Sequence, residues 1–297
     1  KTKFRNYTKA MRFTEDFHKV SAFLKRMEIN PPATFNFDWV RWEWAVSHPY
    51  LDETQLDKIG IWENDTGEIV GLATYENRLG EAFLITDPAY SALQEEMLRY
   101  AITNLCDGEG KIRVYIDDND RELQRLARAN GLKPSQQKDH NAVIEVTDDL
   151  SYTLPEGFSI VSMADECDYA KIHDVMWKGF NHGDDVPHTD EEHEMRRILF
   201  SGPNQRHELK IITKAPNGEY CSFSGAWYDP VSQTGQIEPV CTDPKYRKMG
   251  LGKAAVLEGV IRCGKLGAKR VYVGSPQQFY YNIGFDPVGT YTAWSNA

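Results

Sequence analysis

Residues 237–257, IEPVCTDPKYRKMGLGKAAVL, decide how the second half of the chain is interpreted. The run that ends at Thr242 suits a β-strand, and Pro244 stops it because proline has no N–H to donate to a neighbouring strand. Gly250 and Gly252 allow a sharp turn and a close approach of the backbone to a ligand. Apolar residues then recur at helical spacing. The segment therefore predicts a strand, a tight basic loop and a helix.

A loop of this kind is a candidate anion site. The first N–H groups of a helix lack intrahelical acceptors, and the helix dipole adds positive potential, so together they favour a phosphate or diphosphate. Arg247, Lys248 and Lys253 add positive charge around it. The G-x-x-x-x-G-K-[ST] loop does not fit, because Ala254 stands at its last position, and the dinucleotide fingerprint belongs at the first strand of a βαβ unit.

These residues resemble the acetyl-CoA loop of the GNAT N-acetyltransferase superfamily, whose pattern is R/Q-x-x-G-x-G/A. Arg247, Gly250 and Gly252 match that pattern position by position. A second strand is predicted at residues 270–273, and residues 279–285, FYYNIGF, are similar to the family's F-Y-x-x-x-G-F segment. The order of strand, loop, helix, strand and aromatic segment is the context that gives the short motif its weight.

The resemblance implies an α/β fold with a mostly antiparallel mixed central sheet flanked by helices, and acetyl-CoA as a co-substrate without a metal. The strand would pair with the pantetheine arm, and Pro239 would interrupt the ladder where the strand has to open. Ser275 stands where the family often has an asparagine that contacts the coenzyme. The residues expected to bind the cofactor are Val240, Cys241, Thr242, Arg247, Lys248, Met249, Gly250, Leu251, Gly252, Lys253 and Ser275.

The resemblance also suggests catalytic residues. Tyr280 matches the family tyrosine that can donate a proton to the departing coenzyme A sulfur, with Tyr281 as the alternative if the register is shifted by one. Glu238, on the central strand, is a candidate base for the amine proton, or it has an acceptor-binding or structural role. Gln236 has the same strand parity and leaves that assignment open.

The first half of the chain resembles a degenerate copy of the second. ITDPAY at residues 85–90 parallels CTDPKY at residues 241–246. We therefore predict two tandem GNAT-like domains, residues 1–150 and 151–297. The first copy has no arginine or glycine loop after Tyr90, and Glu95 and Glu96 lie where a diphosphate would bind. We expect it to act as a scaffold and as a wall of the acceptor site.

The segment at residues 181–193, NHGDDVPHTDEEH, lies in the family over the acceptor site. We predict that Asp184, Asp185 and Asp190 help to recognise a cationic acceptor. Two histidines of this segment could bind a metal, but their spacing matches no metal motif such as H-E-x-x-H, so a polar loop without a metal is the prediction.

Composition narrows the class further. The net charge of −10 and the pI near 5.3 argue against a nucleic-acid partner. No apolar run reaches the ~18 residues that a membrane span needs. The five cysteines form no C-x-x-C pair, which is typical of reduced thiols in a cytoplasmic protein. We interpret Cys241, within the predicted strand, as a buried apolar thiol and not as a nucleophile.

The leading interpretation is an N-acetyltransferase that moves the acetyl group of acetyl-CoA to a primary amine by direct attack in a ternary complex. The acceptor is either a small-molecule amine or a protein amine, and the protein is either a monomer or a homodimer. Two alternatives stay open: a non-catalytic module that binds or senses acyl-CoA, and a transferase that uses a longer acyl-CoA.

Overall fold

The computed structural model describes residues 1–8, 12–29 and 36–297. The chain divides into two compact units, Lys1–Asn141 with Pro287–Ala297 and Ala142–Asp286. This division differs from the predicted boundary after residue 150. Residues 142–150 belong to the second unit, and the C-terminal residues from 287 onward belong to the first.

The described elements alternate between strands and helices along the chain. The strands are β1 Lys3–Asn6, β2 Gly60–Glu63, β3 Ile69–Thr74, β4 Glu81–Thr86, β5 Arg113–Asp117, β6 Lys133–Glu145, β7 Ser159–Ser162, β8 Lys210–Lys214, β9 Tyr220–Asp229, β10 Thr234–Thr242, β11 Arg270–Val273 and β12 Asp286–Ser295. The helices are α1 Glu15–Met27, α2 Trp39–Ser47, α3 Gln94–Asn104, α4 Arg121–Ala129, α5 Tyr169–Gly179, α6 Asp190–Leu199, α7 Leu251–Leu266 and α8 Gln278–Ile283.

The two halves of the chain repeat one order of elements. Each half begins with a strand and two helices, continues with three strands and a helix, and ends with strand, helix and strand. The repeat predicted from the sequence is therefore present in the fold. The Asp-Pro turn is repeated as well, because Asp87 accepts a hydrogen bond from the N–H of Ala89 and Asp243 accepts one from the N–H of Lys245.

The first unit contains a mixed sheet in the order β1-β2-β3-β4-β5-β12. Its neighbouring strands are antiparallel except for the parallel pair β4 and β5. Buried aromatic side chains of α1 and α2 pack on one another; the rings of Phe17 and Trp42 are stacked with centroids 5.7 Å apart. Thr14 caps α1 by accepting from the N–H of Phe17, which satisfies one of the free donors at the helix start.

The second unit contains a sheet of the same kind in the order β7-β8-β9-β10-β11, with residues 142–145 of β6 beside β11. Here β10 and β11 are the parallel pair, and the other neighbours are antiparallel. Helix α7 covers one face of this sheet, where Val256 and Val260 pack against Ala226 and Ile237. This packing fixes the start of α7 beside the end of β10.

The last strand of each sheet comes from an unexpected part of the chain. Strand β12 follows the second unit's α8 but pairs with β5 of the first unit, from Tyr291 opposite Asp117 to Ser295 opposite Arg113. Residues 142–145 follow the first unit's α4 but pair with β11, and Ala142 and Ile144 are buried in the core that surrounds α7. A cut after residue 150 would separate both strands from their sheets.

None of the helices in the described part of the chain is long and apolar enough to cross a membrane.

We expect a fragment of residues 142–286 to be more stable than a fragment of residues 151–297. The second fragment loses the buried side chains of Ala142 and Ile144 and leaves the edge of β11 unpaired. Burial of an isoleucine side chain alone contributes about 1.5–3 kcal/mol. Equilibrium denaturation followed by circular dichroism measures the difference, with the full chain as reference. Equal stability of the two fragments would contradict the observed division.

Candidate active site

Strand β10 carries an irregularity at the residues that were predicted to open it. Ile237 pairs with Ala226 and Val240 pairs with Ser224, so two residues, Glu238 and Pro239, stand opposite one residue of β9. The parallel pairing of β10 with β11 also ends at Ile237. The interruption predicted at Pro239 is confirmed. After it, residues 240–242 no longer pair with β11, so this edge of β10 is open.

The loop after β10 has the backbone shape of an anion site. Lys248 and Gly250 both adopt left-handed conformations, with φ of 64° and 79°. Gly250 occupies the N-cap position of α7 and offers no side-chain cap. The first backbone bond inside the helix runs from the N–H of Ala254 to the carbonyl of Gly250 at 3.0 Å. The amides of residues 251–253 therefore precede any intrahelical acceptor and lie at the positive end of the helix dipole.

The side chain of Arg247 is held by neighbouring backbone. Its guanidinium donates to the carbonyl of Thr242 at 3.1 Å, to the carbonyl of Gly179 at 3.1 Å and to the Asn181 side chain at 2.9 Å. These bonds connect the loop to the end of β10 and to the end of α5. Arg247 thus holds the loop in place, and its predicted contact with a diphosphate remains a prediction.

The remaining loop residues differ in exposure. Lys248, Met249 and Lys253 are exposed, whereas Leu251 and Gly252 are buried in the first turn of α7. Mobile positive charge at this helix start therefore comes from the two lysines, which are free to approach an anion in solvent.

Tyr280 lies in α8 and is 7% exposed. Its ring packs edge-to-face against Phe279 and Phe285, with centroids 5.0 and 5.7 Å away. Burial raises the pKa of the Tyr280 hydroxyl well above its usual 10.0, and the nearby Glu238 and Cys241 raise it further. Tyr280 is consequently protonated across the neutral and moderately alkaline range, and the structure brings it close to the two residues on β10.

Glu238 and Gln236 are both half-buried and alternate with the buried residues of β10. The two side chains therefore lie on the same face of β10, as the sequence predicted. Of the two, Glu238 is the one whose charge acts on Tyr280. Glu238 therefore acts electrostatically on the Tyr280 hydroxyl, and its assignment as the base stays a prediction.

Ser275 is buried after β11, and its hydroxyl accepts from the N–H of Gln277 at 3.2 Å. It thereby supports the turn that leads into α8. The resemblance implied a coenzyme contact at this position, and that contact remains a prediction.

Three cysteines are buried in the second unit. Burial raises the pKa of Cys221, Cys241 and Cys263 to about 12. A thiol must lose its proton to act as a nucleophile, so these side chains are unreactive at neutral pH. The interpretation of Cys241 as a buried apolar thiol is confirmed.

The three acids predicted to bind the acceptor are all exposed. Asp184 and Asp185 lie in the segment between α5 and α6, and Asp190 is the first residue of α6. Thr189 caps that helix, and acidic residues in its first turn interact favourably with the helix dipole. Asp190 therefore stabilises the start of α6, and its role in acceptor recognition remains a prediction.

A cluster of three histidines connects the segment between α5 and α6 to these two helices. The sequence had predicted only a polar loop here. His188 lies 2.9 Å from His193 and 3.0 Å from the carboxylate of Asp174. Beneath them His173 accepts from Arg196 at 2.9 Å and donates to the carbonyl of Pro187 at 3.1 Å. Burial and the Arg196 charge lower the pKa of His173 to about 4, so it is neutral at pH 7.

No group of metal-ligating side chains large enough to hold an ion occurs among residues 1–8, 12–29 and 36–297.

Sequence reasoning also missed two residues of β9. Gly225 stands opposite the irregularity of β10, and the indole N–H of Trp227 donates to the carbonyl of Glu238 at 2.9 Å. A glycine inside a strand often marks a bulge or a close backbone approach, so the sequence could have indicated Gly225. The contact of Trp227 depends on tertiary packing, so no feature of the sequence indicates it.

Comparisons with known proteins relate the second unit to one family of enzymes. Residues 169–285 match the model of the Acetyltransferase (GNAT) family. The search of curated protein sequences found no match. The matched residues run from the first residue of α5 to the residue before β12 and include the loop, Glu238 and Tyr280.

Solved structures give the fold of the whole chain. A tandem GNAT protein from the clavulanic acid biosynthesis pathway has a TM-score of 0.63 at 14% identity, covering 99% of this chain and 98% of that one. A GCN5-related N-acetyltransferase from Sphaerobacter thermophilus has a TM-score of 0.62 at 14% identity, covering 99% and 95%. Saccharomyces cerevisiae N-myristoyltransferase with bound myristoyl-CoA has a TM-score of 0.55 at 10% identity, covering 99% and 82%.

Residues 169–285 are therefore similar to the GNAT acetyltransferase family, and the whole chain shares its fold with a tandem GNAT protein of known structure.

We expect the native protein to react with a thiol reagent at Cys167 first and at Cys106 next. Cys167 is exposed and Cys106 partly exposed, whereas the other three are buried protonated thiols. Labelling with an aromatic disulfide at pH 8, followed by peptide mass mapping, measures this order. The denatured protein, in which all cysteines react, is the control. Rapid labelling of Cys241 in the native protein would contradict its assignment.

Proposed function

We propose that the second unit is an acetyl-CoA-dependent N-acetyltransferase that acts on a primary amine. The observation that carries this proposal is the uncapped start of α7, which lies directly after a strand whose pairing with β11 stops at the irregularity. The first feature suits a diphosphate and the second suits an extended chain that pairs like an added strand. Acyl-CoA has both parts in that order.

The loop residues suit a diphosphate in backbone shape and in charge. An N-cap glycine at φ 79° leaves the helix start clear of a side chain, and the exposed Lys248 and Lys253 supply counter-charge. The amides of residues 251–253 would bind the diphosphate, and residues 240–242 would pair with the pantetheine arm. Bound acetyl-CoA would supply an activated thioester.

The neighbouring side chains supply proton transfer. Glu238 would accept the proton of the attacking amine, directly or through water. Tyr280 would donate a proton to the departing sulfur, because its raised pKa keeps the hydroxyl protonated. A backbone N–H of β10 near the irregularity would polarise the thioester carbonyl. Direct attack in a ternary complex needs no covalent enzyme intermediate, which agrees with the buried, protonated thiol of Cys241.

Release of free thiol from acetyl-CoA across a panel of amines tests the activity, and calorimetric titration of acetyl-CoA tests binding. Turnover with at least one amine supports the proposal. Tight binding without turnover on small amines or on lysine-containing peptides would favour the non-catalytic module. Faster turnover with a longer acyl-CoA than with acetyl-CoA would identify the longer acyl group as the one transferred.

Tyr280→Phe should lower kcat by about 100-fold or more while the KM for acetyl-CoA changes by no more than about twofold. The substitution removes the hydroxyl and keeps the ring that packs against Phe279 and Phe285. Steady-state kinetics with the best amine of the panel measure both constants.

Tyr281→Phe is the matched control, since Tyr281 is the adjacent tyrosine of α8 and is half-buried. Its kcat should equal that of the wild type. The opposite result, a large loss with Tyr281→Phe and none with Tyr280→Phe, would transfer the acid role to Tyr281.

The triple variant Asp184→Asn, Asp185→Asn and Asp190→Asn should raise the KM of a cationic acceptor by about fivefold or more and leave the KM for acetyl-CoA unchanged. The exposed acids would attract the amine through solvent, so the effect should shrink as ionic strength rises. Asp148→Asn, which removes an exposed charge elsewhere, is the control. Unchanged acceptor KM at low salt would remove these acids from recognition.

A further inference from the structure

The carbonyl of Glu238 is turned out of the regular ladder and into β9. A Cβ added to Gly225 would lie 2.3 Å from the oxygen of this carbonyl and 3.1 Å from its carbon. Real Cβ atoms do not approach that closely, so the oxygen occupies the space that any side chain at this position would need. Pro239, the next residue, has no N–H to offer to β9.

The turned carbonyl has a specific donor. The indole N–H of Trp227 bonds to it at 2.9 Å, and the Trp227 side chain is 1% exposed. Leaving a buried carbonyl without a partner would cost about 1–3 kcal/mol. Trp227 thus replaces the ladder bond that the irregularity removes.

The indole is itself fixed by a buried cation. The ammonium of Lys210 lies 3.9 Å from the centroid of the Trp227 ring and donates to the carbonyl of Ala226 at 2.8 Å. Lys210 is 0% exposed. A desolvated cation over the face of a tryptophan contributes about 2 kcal/mol or more. This contact holds the ring in the plane from which its N–H reaches Glu238.

The place at which this bond acts is the place at which β10 and β11 stop pairing. Their last paired residues are Ile237 and Val273, and Glu238 follows at once. Past the irregularity, β10 pairs again with β9 from Val240 to Thr242. The bond from Trp227 therefore draws β10 toward β9 at the one step where it leaves β11.

We propose that Trp227, supported by Lys210 and Gly225, is a positioning residue of the acyl-CoA site. By anchoring the carbonyl of Glu238 to β9, it holds residues 240–242 in the register that presents their free edge to a pantetheine arm. It also fixes the backbone from which the Glu238 side chain extends toward Tyr280. This assignment rests on the proposed function for its ligand, while the anchoring itself is a property of the fold.

The test is Trp227→Phe, which keeps an aromatic ring under Lys210 and removes the N–H donor. Tyr228→Phe is the matched control: it deletes one polar group from the next residue of β9, whose side chain packs in the core on the α7 side. Two quantities are measured for each variant: amide hydrogen exchange resolved by residue, and the affinity for CoA by calorimetry.

Trp227→Phe should speed exchange of the amides of residues 240–242 that bond to β9 by at least about tenfold, with the rest of β8 and β9 unchanged. It should weaken CoA binding by about tenfold, which corresponds to 1.4 kcal/mol. Tyr228→Phe should change neither quantity. Gly225→Ala, which forces the carbonyl to move, should reproduce both effects.

Exchange at residues 240–242 equal to that of the wild type would overturn the proposal. A uniform rise of exchange throughout the second unit would also overturn it, because that is the signature of general destabilisation. A wild-type protein that binds no CoA would instead contradict the proposed function. The exchange comparison, which needs no ligand, would still decide whether Trp227 holds the irregularity.

Discussion

The backbone amides at the start of α7 are the constraint around which this site is built. They have no acceptor within the helix and no side-chain cap, and they carry the positive end of the helix dipole, roughly half a unit charge. The bonds of Arg247 keep the loop against β10 and α5. The irregularity of β10 removes β11 as a neighbour just before that point. Each feature keeps clear the space that an anion and its extended chain would need.

The corresponding helix start in the first unit differs from that of α7 in charge and in its lead-in turn. In each half an Asp-Pro turn follows the fourth strand, and the chain then continues into a helix. In the first unit a 3-10 turn, Pro88–Leu93, lies between the Asp-Pro turn and α3, and Glu95 and Glu96 lie in the first turn of that helix. Negative side chains there compete with any anion for the helix dipole. The two halves therefore differ in charge at the same place in the fold: the start of α3 carries acidic side chains, and the start of α7 carries lysines.

Much of this arrangement could be predicted from the sequence, because it depends on local backbone chemistry. The second strand at residues 270–273 and the interruption at Pro239 follow from residue types alone, and the structure has both. The sequence indicated Tyr280 and Glu238 separately, and only the fold brings Glu238 close enough to act on the Tyr280 hydroxyl.

Other features depended on contacts between residues far apart in sequence. The spacing of Arg247 in its motif does not reveal that its side chain bonds to the carbonyls of Thr242 and Gly179 and to the Asn181 side chain. The histidine cluster joins Asp174 to His188 and His193 across two helices, which no linear motif encodes. The domain boundary also differs, because strand pairing of β12 and of residues 142–145 is decided by the sheets and not by the polar linker.

A crystal structure of the protein with bound CoA would show where the diphosphate binds. We expect diphosphate oxygens within hydrogen-bond distance of the amides of residues 251–253, with the pantetheine arm along residues 240–242. A diphosphate bound elsewhere in the second unit, or at the start of α3 in the first, would contradict it.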